Sequence, residues 1–194
     1  MDERDLFILA ERTPRGVIEL IEDDQWELAV PAGMTRRPAT LRETINYHSY
    51  DTAWVPETLA GKTVEEVGSR YDGDLLDGDP KARYAEFSER AIAAVRALTD
   101  LDRTVHLTYG DYPAREYLEH ITSFRGFRVY DLARFIGVEA TMPAELVQGM
   151  WDALSPSMDE WRKLGVYGPA VDVPPDAPLR DRLLGLSGRD PYAE

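Results

Sequence analysis

The chain has 194 residues, of which 43% are hydrophobic and 30% are charged, and its formal net charge is −14 at pH 7. This hydrophobic share excludes disorder over the whole chain, and the negative charge disfavours binding to the phosphate backbone of nucleic acids. The absence of cysteine excludes disulfides, thiolate metal ligands and a cysteine nucleophile, so any metal must be bound by His, Asp or Glu.

The N-terminal segment has the features of neither a signal peptide nor a membrane anchor. It begins Met1-Asp2-Glu3-Arg4-Asp5 and lacks a long apolar core. No part of the sequence reaches the ~18 consecutive apolar residues that a spanning helix needs. We therefore expect a cytoplasmic protein that binds neither a membrane nor nucleic acid.

The first helix is predicted over residues 4–22, where apolar side chains recur at helical rather than alternating spacing. Pro14 lies inside this pattern, and a proline removes one hydrogen bond from a helix. We expect a helix that is kinked at Pro14. The alternative is that Thr13 caps a new helix whose first turn contains Pro14.

A loop and two further helices follow. Residues 31–38 contain one glycine and two prolines and predict a loop, after which Thr40 caps a second helix that reaches about Leu59. Asp79, which stands directly before a proline, predicts the start of a third helix over residues 80–98.

The middle of the chain combines an extended segment with the strongest helical pattern. Residues 104–109 alternate weakly, which predicts a short strand or an extended connection before the turn at Gly110. A long helix is predicted over 111–136 with Gly137 as its stop. Gly126 inside it costs about 1 kcal/mol relative to Ala unless it permits a close helix contact, and we expect that contact.

The last part of the chain predicts one long helix over residues 143–164, a proline-rich tail over 168–178 and a short helix over 179–186. The predicted fold is therefore all-α. A helical bundle domain covers residues 1–166, and a C-terminal tail over 167–194 packs on it.

Three segments of the sequence together resemble a known protein family. They are Pro-Leu-Arg-Asp-Arg-Leu-Leu-Gly-Leu-Ser-Gly-Arg-Asp-Pro at 178–191, Tyr130-Asp131-Leu132-Ala133-Arg134 followed by Gly137, and Gln25-Trp26 followed by Thr40-Leu41-Arg42. In this order and over nearly the whole chain, the sequence is similar to the DinB-like, mycothiol-dependent maleylpyruvate isomerase family, in an uncharacterised metal-binding branch.

The resemblance implies a DinB-like four-helix bundle with an additional helix, often a homodimer, that acts on a small-molecule substrate. It also implies a divalent metal, zinc or nickel, bound by a His of the second helix and a Glu-x-x-x-His pair of a later helix, and a low-molecular-weight thiol that this metal activates. The sequence departs from that pattern, because Phe124 and Arg128 stand at the positions of the Glu and the His, and His48 lies one residue after the expected position at Tyr47.

Another set of side chains offers a metal site. Glu116 and His120 are four residues apart, which places both on one helix face, and His48 from a neighbouring helix completes a set of two His and one carboxylate with open positions. The alternative is a structural role, in which Glu116 and His120 are solvated or hydrogen-bonded residues near a helix start.

Arg125, Arg128 and Tyr130 are the candidate residues for binding a cofactor or ligand. An inward-facing Arg125 or Arg128 would clamp the carboxylate of a small anion through its two-pronged guanidinium. The alternative is pairing within the helix, since Asp131 is three residues from both Arg128 and Arg134. Tyr130 is one of several tyrosines that predict either a polar aromatic pocket or core packing. The others are Tyr47, Tyr50, Tyr109, Tyr112 and Tyr117.

Two functions follow from these patterns. The first is a divalent-metal protein acting on a small molecule as a thiol-dependent isomerase, transferase or hydrolase. The second is a non-catalytic bundle that has lost the family metal site and binds a ligand or a protein partner. The departures at Phe124 and Arg128 favour the second function. The metal binding that the resemblance implies favours the first.

Overall fold

The structure is a computed structural model that describes residues 1–193 except 33, 36 and 38, so the predicted loop at 31–38 lies partly outside the described residues. That part of the chain contains eight helices and one antiparallel hairpin. The order is α1 (Glu3–Ile18), α2 (Leu41–Leu59), α3 (Val64–Val67), α4 (Pro80–Ala97), β1 (Thr104–Leu107), β2 (Gly110–Pro113), α5 (Ala114–Ile136), α6 (Ala144–Leu154), α7 (Met158–Lys163) and α8 (Leu179–Leu186). The chain is mainly helical, as predicted, and the hairpin is an addition to the all-α prediction.

The starts of α2 and α4 lie where the sequence predicts them. The Thr40 hydroxyl accepts a hydrogen bond from the backbone N–H of Glu43, and the Glu43 carboxylate accepts one from the N–H of Thr40. This reciprocal capping satisfies two donors that the first turn leaves unpaired. At α4 the Asp79 carboxylate alone caps the helix, accepting hydrogen bonds from the N–H groups of Lys81 and Ala82, and Pro80 occupies the first turn, where no N–H is needed.

A single helix, α1, runs through Pro14, so the alternative in which Thr13 begins a second helix is wrong. The Thr13 hydroxyl instead donates to the carbonyl oxygen of Leu9 at 2.7 Å, which is the bond of a residue inside a helix. The helix ends at Ile18, earlier than predicted.

The hairpin changes the start of α5. Of the two alternatives for residues 104–109, the short strand is confirmed over Thr104–Leu107. The turn predicted at Gly110 lies instead at residues 108–109, and Gly110–Pro113, which includes the predicted start of the helix, forms β2. Pro113 keeps an extended backbone (φ −60°, ψ 146°) and precedes the helix, which therefore begins at Ala114. The predicted stop is confirmed, because Gly137 adopts the left-handed conformation (φ 74°) that ends many helices.

The single helix predicted over 143–164 is wrong, because the chain breaks between α6 and α7. Pro156 lies in the break and has no N–H to donate to the preceding turn. The N–H of Ser157 bonds instead to the carbonyl of Leu154 in a tighter turn. The two short helices therefore replace one long one.

Helix α1 packs along α5 and also against α4, and α2 packs along α4. Helix α6 lies against α1 and α5, and α8 lies against α6. The close contact predicted at Gly126 is confirmed, because a Cβ atom added there would lie 2.1 Å from Sδ of Met150 on α6. No helix among the described residues is both long enough and apolar enough to span a membrane.

The segment after α7 runs back over the helices. The N–H of Val171 donates to the carbonyl oxygen of Gly185 at 2.9 Å, and the Tyr130 hydroxyl donates to the carbonyl oxygen of Asp190 at 2.6 Å. These bonds attach the C-terminal segment to itself and to α5.

Candidate ligand-binding site

Polar side chains from four helices meet in the interior between α2 and α5. Every residue of α5 from 125 to 130 is buried, and this stretch includes Arg125 and Arg128. Their side chains reach α1 and α2, and Tyr84 of α4 lies near enough for both guanidinium groups to influence its pKa. We call this group the polar layer; its members are Glu11, His48, Asp51, Thr52, Tyr84, Arg125 and Arg128.

One half of the polar layer is closed, because every charge in it is paired. Arg125 Nε donates to the Glu11 carboxylate at 2.5 Å, and the two side chains are 1% and 0% exposed. Nη1 donates to the carbonyl oxygen of Ile121 at 3.0 Å, and Nη2 approaches the Thr52 hydroxyl at 3.4 Å. The guanidinium also lies 4.9 Å from the ring centre of Phe7. This half holds α1, α2 and α5 together.

The other half is open, because Arg128 has an unused edge. Its Nη2 donates to the Asp51 carboxylate at 3.0 Å, whereas its buried Nη1 has no hydrogen-bond partner among the described residues. The Arg128 side chain is only 7% exposed, but that of Asp51 is 34% exposed. Burial raises the pKa of Asp51 despite the nearby arginines. The layer therefore reaches solvent at Asp51.

Two further groups beside Arg128 lack a hydrogen bond of normal geometry. In the described part of the chain they are the buried Nδ1 of His48 and the hydroxyl of Tyr84. Tyr84 nevertheless lies close enough to Arg128 for that guanidinium to act against the rise in its pKa. Burial, reinforced by Arg128 and Arg125, holds the pKa of His48 well below its usual range, so the imidazole is neutral at pH 7. Burial also raises the pKa of Tyr84. Its hydroxyl therefore stays protonated and can donate a hydrogen bond.

The lowered pKa of His48 predicts a pH dependence of stability. In the unfolded chain a His titrates near pH 6.5, so below that pH the unfolded state binds a proton that the folded state excludes. Stability from this residue is complete above about pH 6.5 and is lost as pH falls toward the folded pKa. We expect the protein to lose about 1 kcal/mol more than the His48→Gln variant between about pH 7.5 and pH 5.5, measured by urea unfolding. Parallel losses in the two proteins would contradict the assignment.

Of the two alternatives for the predicted arginines, the structure has the one in which they face inward, since the side chains of Arg125 and Arg128 are both buried. Pairing of Arg128 with Asp131 inside α5 is wrong, because Arg128 points inward to Asp51. The Asp131 carboxylate instead binds Arg189 of the C-terminal segment through two hydrogen bonds of 2.8 and 2.7 Å. Arg134 donates to the hydroxyl of Tyr130 at 3.0 Å.

Tyr130 lies apart from the two arginines, in a cleft of about 550 Å³ between α5 and the C-terminal segment. The polar groups of this cleft bond to one another, since Tyr130 and Arg134 both donate to the carbonyl oxygen of Asp190. A second cleft, of about 750 Å³, lies between α1, α5 and α6. Its carboxylates include Asp2 and Glu3, which bind Arg4 and Arg115.

The three predicted metal ligands are not assembled. His48 belongs to the polar layer, whereas His120 packs with its ring centre 5.2 Å from that of Tyr112 and 5.4 Å from that of Trp161, and Glu116 is exposed. Over residues 1–193, apart from the three that are not described, no three His, Asp or Glu side chains are grouped to hold a metal ion. The guanidinium of Arg128 beside His48 also repels a cation, which opposes a divalent metal at that imidazole.

The six tyrosines of the predicted aromatic pocket do not line one shared pocket; they lie in different parts of the fold. Tyr50 packs on Trp54, and Tyr109 packs on Tyr112 at the hairpin. Tyr117 is buried. Only Tyr130 of the six tyrosines lines either cleft described above.

The sequence patterns missed four members of the polar layer, namely Glu11, Asp51, Thr52 and Tyr84. A usable signal existed for one of them. Glu11 is fully buried on the apolar face of α1, next to Ala10 and one turn before Pro14 and Arg15. An acidic residue on an apolar stripe is rarely buried without a cationic partner, and it predicts one.

Comparison with known protein families, with curated proteins and with solved structures finds no match to this chain.

Proposed function

We propose that the chain is a DinB-like four-helix bundle that binds a small molecule in the polar layer and does not catalyse a reaction. The packing supports a ring of four helices, in which α5 lies along α1, α1 against α4, and α4 along α2. Side chains rather than close backbone packing then join α2 to α5, chiefly through Arg125 and Arg128. Ligand sites of helical bundles are built in this way, from side chains of facing helices.

The observation that carries the proposal is the unpaired Nη1 of Arg128 in the interior. Buried polar atoms are almost always hydrogen-bonded, because an unmade bond there costs about 1–3 kcal/mol or more for a charged group. His48 and Tyr84 leave further unpaired atoms beside it. These atoms come from three helices and lie beside a partly exposed Asp51, so they supply the few polar groups that orient a small ligand. Neither of the two clefts described above is lined by a residue of the polar layer, so a ligand would enter at Asp51.

A titration followed by NMR tests this function. Isotopically labelled protein is titrated with acetate, acetamide, ethanol and ethylamine, which share a small apolar part and differ in the polar group. At least one of them is expected to shift the backbone amides of residues 48–52 and 125–128, and the shifts should vanish in Arg128→Met. The matched control is Arg134→Met, which removes an arginine of the same helix outside the polar layer. The function is refuted if none of the four probes shifts these amides.

A metal-dependent enzyme, an isomerase, transferase or hydrolase that uses zinc or nickel and a low-molecular-weight thiol, is the second candidate. The neutral, unpaired imidazole of His48 favours it, because metals bind neutral imidazole. Against it stand Phe124 and Arg128 at the ligand positions implied by the resemblance.

Elemental analysis separates the two candidates. We expect the purified protein, after incubation with zinc or nickel and removal of the excess, to retain no stoichiometric metal, because the charge of Arg128 opposes a cation beside His48. One equivalent of metal that disappears in His48→Ala would support the second candidate instead.

A further inference from the structure

The charges of the polar layer are balanced, but only one of its acids is free to move. Arg125 and Arg128 face Glu11 and Asp51, which gives two positive and two negative groups. Glu11 is fully buried and bound to Arg125, so it cannot leave. Asp51 is held by a single hydrogen bond from Arg128 and is 34% exposed.

Rotation of Asp51 toward solvent would leave Arg128 with two free donor nitrogens and one uncompensated positive charge. A planar carboxylate matches that arrangement, because its two oxygens accept the parallel bonds of a guanidinium. A dianion such as phosphate would exceed the available charge by one, and burying the excess is costly. The neighbouring hydroxyl of Tyr84 is a further donor and favours an acceptor in this position.

Resting on the proposed function, we infer that the ligand is a small monocarboxylic acid whose carboxylate replaces that of Asp51 at Arg128 and accepts a hydrogen bond from Tyr84. Asp51 is then a stand-in for the ligand. It keeps Arg128 paired in the free protein and competes with the incoming carboxylate.

Competition between Asp51 and the ligand predicts that removing the charge of Asp51 tightens the binding of a carboxylate. Asp51→Asn keeps the size of the side chain but removes the competing charge, so acetate should bind to this variant at least about tenfold more tightly than to the unaltered protein. The dissociation constants, expected in the millimolar range for so small a probe, are measured by the same NMR titration at constant ionic strength. Acetamide, the neutral isostere of acetate, should not bind.

The controls separate a charge effect from a general loosening of the fold. Asp131→Asn removes one acid of another partly buried ion pair, that with Arg189, and should leave acetate binding unchanged. Arg128→Lys keeps the positive charge but loses the two-pronged geometry, so it should weaken acetate binding at least about tenfold; it also serves if Arg128→Met does not fold.

Acetate binding to Asp51→Asn that is no tighter than binding to the unaltered protein would overturn the inference, as would equal binding of acetate and acetamide. If ethanol, ethylamine or acetamide binds at the polar layer and acetate does not, the site stands and the ligand class is wrong. If none of the probes binds there, the proposed function itself fails, and the inference with it.

Discussion

Replacing Glu11 with Gln is expected to lower the free energy of unfolding by about 3–5 kcal/mol. The substitution preserves size but leaves the guanidinium of Arg125, 1% exposed, without its counter-charge in the interior. The loss arises mainly from the uncompensated charge, since breaking a buried pair costs more than the pair contributes. Urea unfolding followed by circular dichroism measures the effect.

The same chemical change at the surface is the control. Glu89 pairs with Arg15 at 2.7 Å, but its side chain is 55% exposed, so Glu89→Gln should change stability by no more than about 1 kcal/mol. The double variant Glu11→Met with Arg125→Leu removes both charges and should recover most of the stability lost in Glu11→Gln. If Glu11→Gln is no more harmful than Glu89→Gln, the closed half of the polar layer does not hold the helices as described.

Gly185→Ala is expected to destabilise the protein by about 1–3 kcal/mol and to release the segment that covers α8. A Cβ atom at this position would lie 2.8 Å from the carbonyl oxygen of Val171 and 2.4 Å from Cγ2 of Val173. Backbone cannot yield as a flexible side chain can, so the segment must move away from the helix. Limited proteolysis should then cut between residues 166 and 178 faster than in the unaltered protein.

Gly168→Ala is the matched control for this prediction. Its added Cβ would meet nothing within 4 Å, so the rate of proteolysis and the stability should both stay close to those of the unaltered protein. Equal protection of the segment in Gly185→Ala would show that Val171 and Val173 do not rest on α8.

Capping residues and a stop glycine predicted several helix ends correctly, whereas the break between α6 and α7 was not predicted. Thr40, Asp79 and Gly137 act within one turn of themselves, and the structure has each of them at a helix end. The break at Pro156 was missed because Leu154 and Met158 continue the apolar stripe of α6 across it. A regular stripe indicates one buried face, which two short helices can share.

The candidate site was predictable only in part, because its bonds join residues far apart in sequence. The sequence offered Arg128 either an inward position or a pair with Asp131, three residues away, but it could not indicate the observed partner Asp51, which is 77 residues away. Residue spacing predicts which side chains can pair within one helix, but it does not predict pairs between helices. Whether Arg128 pairs within its helix or with another helix depends on whether its side chain is buried, and that depends on how α2 and α5 are packed.

The long contact between α1 and α5 bears on the synthesis of this protein. Helix α1 ends at Ile18 and α5 begins only at Ala114, so a ribosome needs about 5–20 s to make the intervening stretch. During that time the apolar face of the nascent α1, which includes Phe7 and Ile18, has not met its main neighbour. We therefore expect this face to stay exposed on the emerging chain until α5 has left the ribosome.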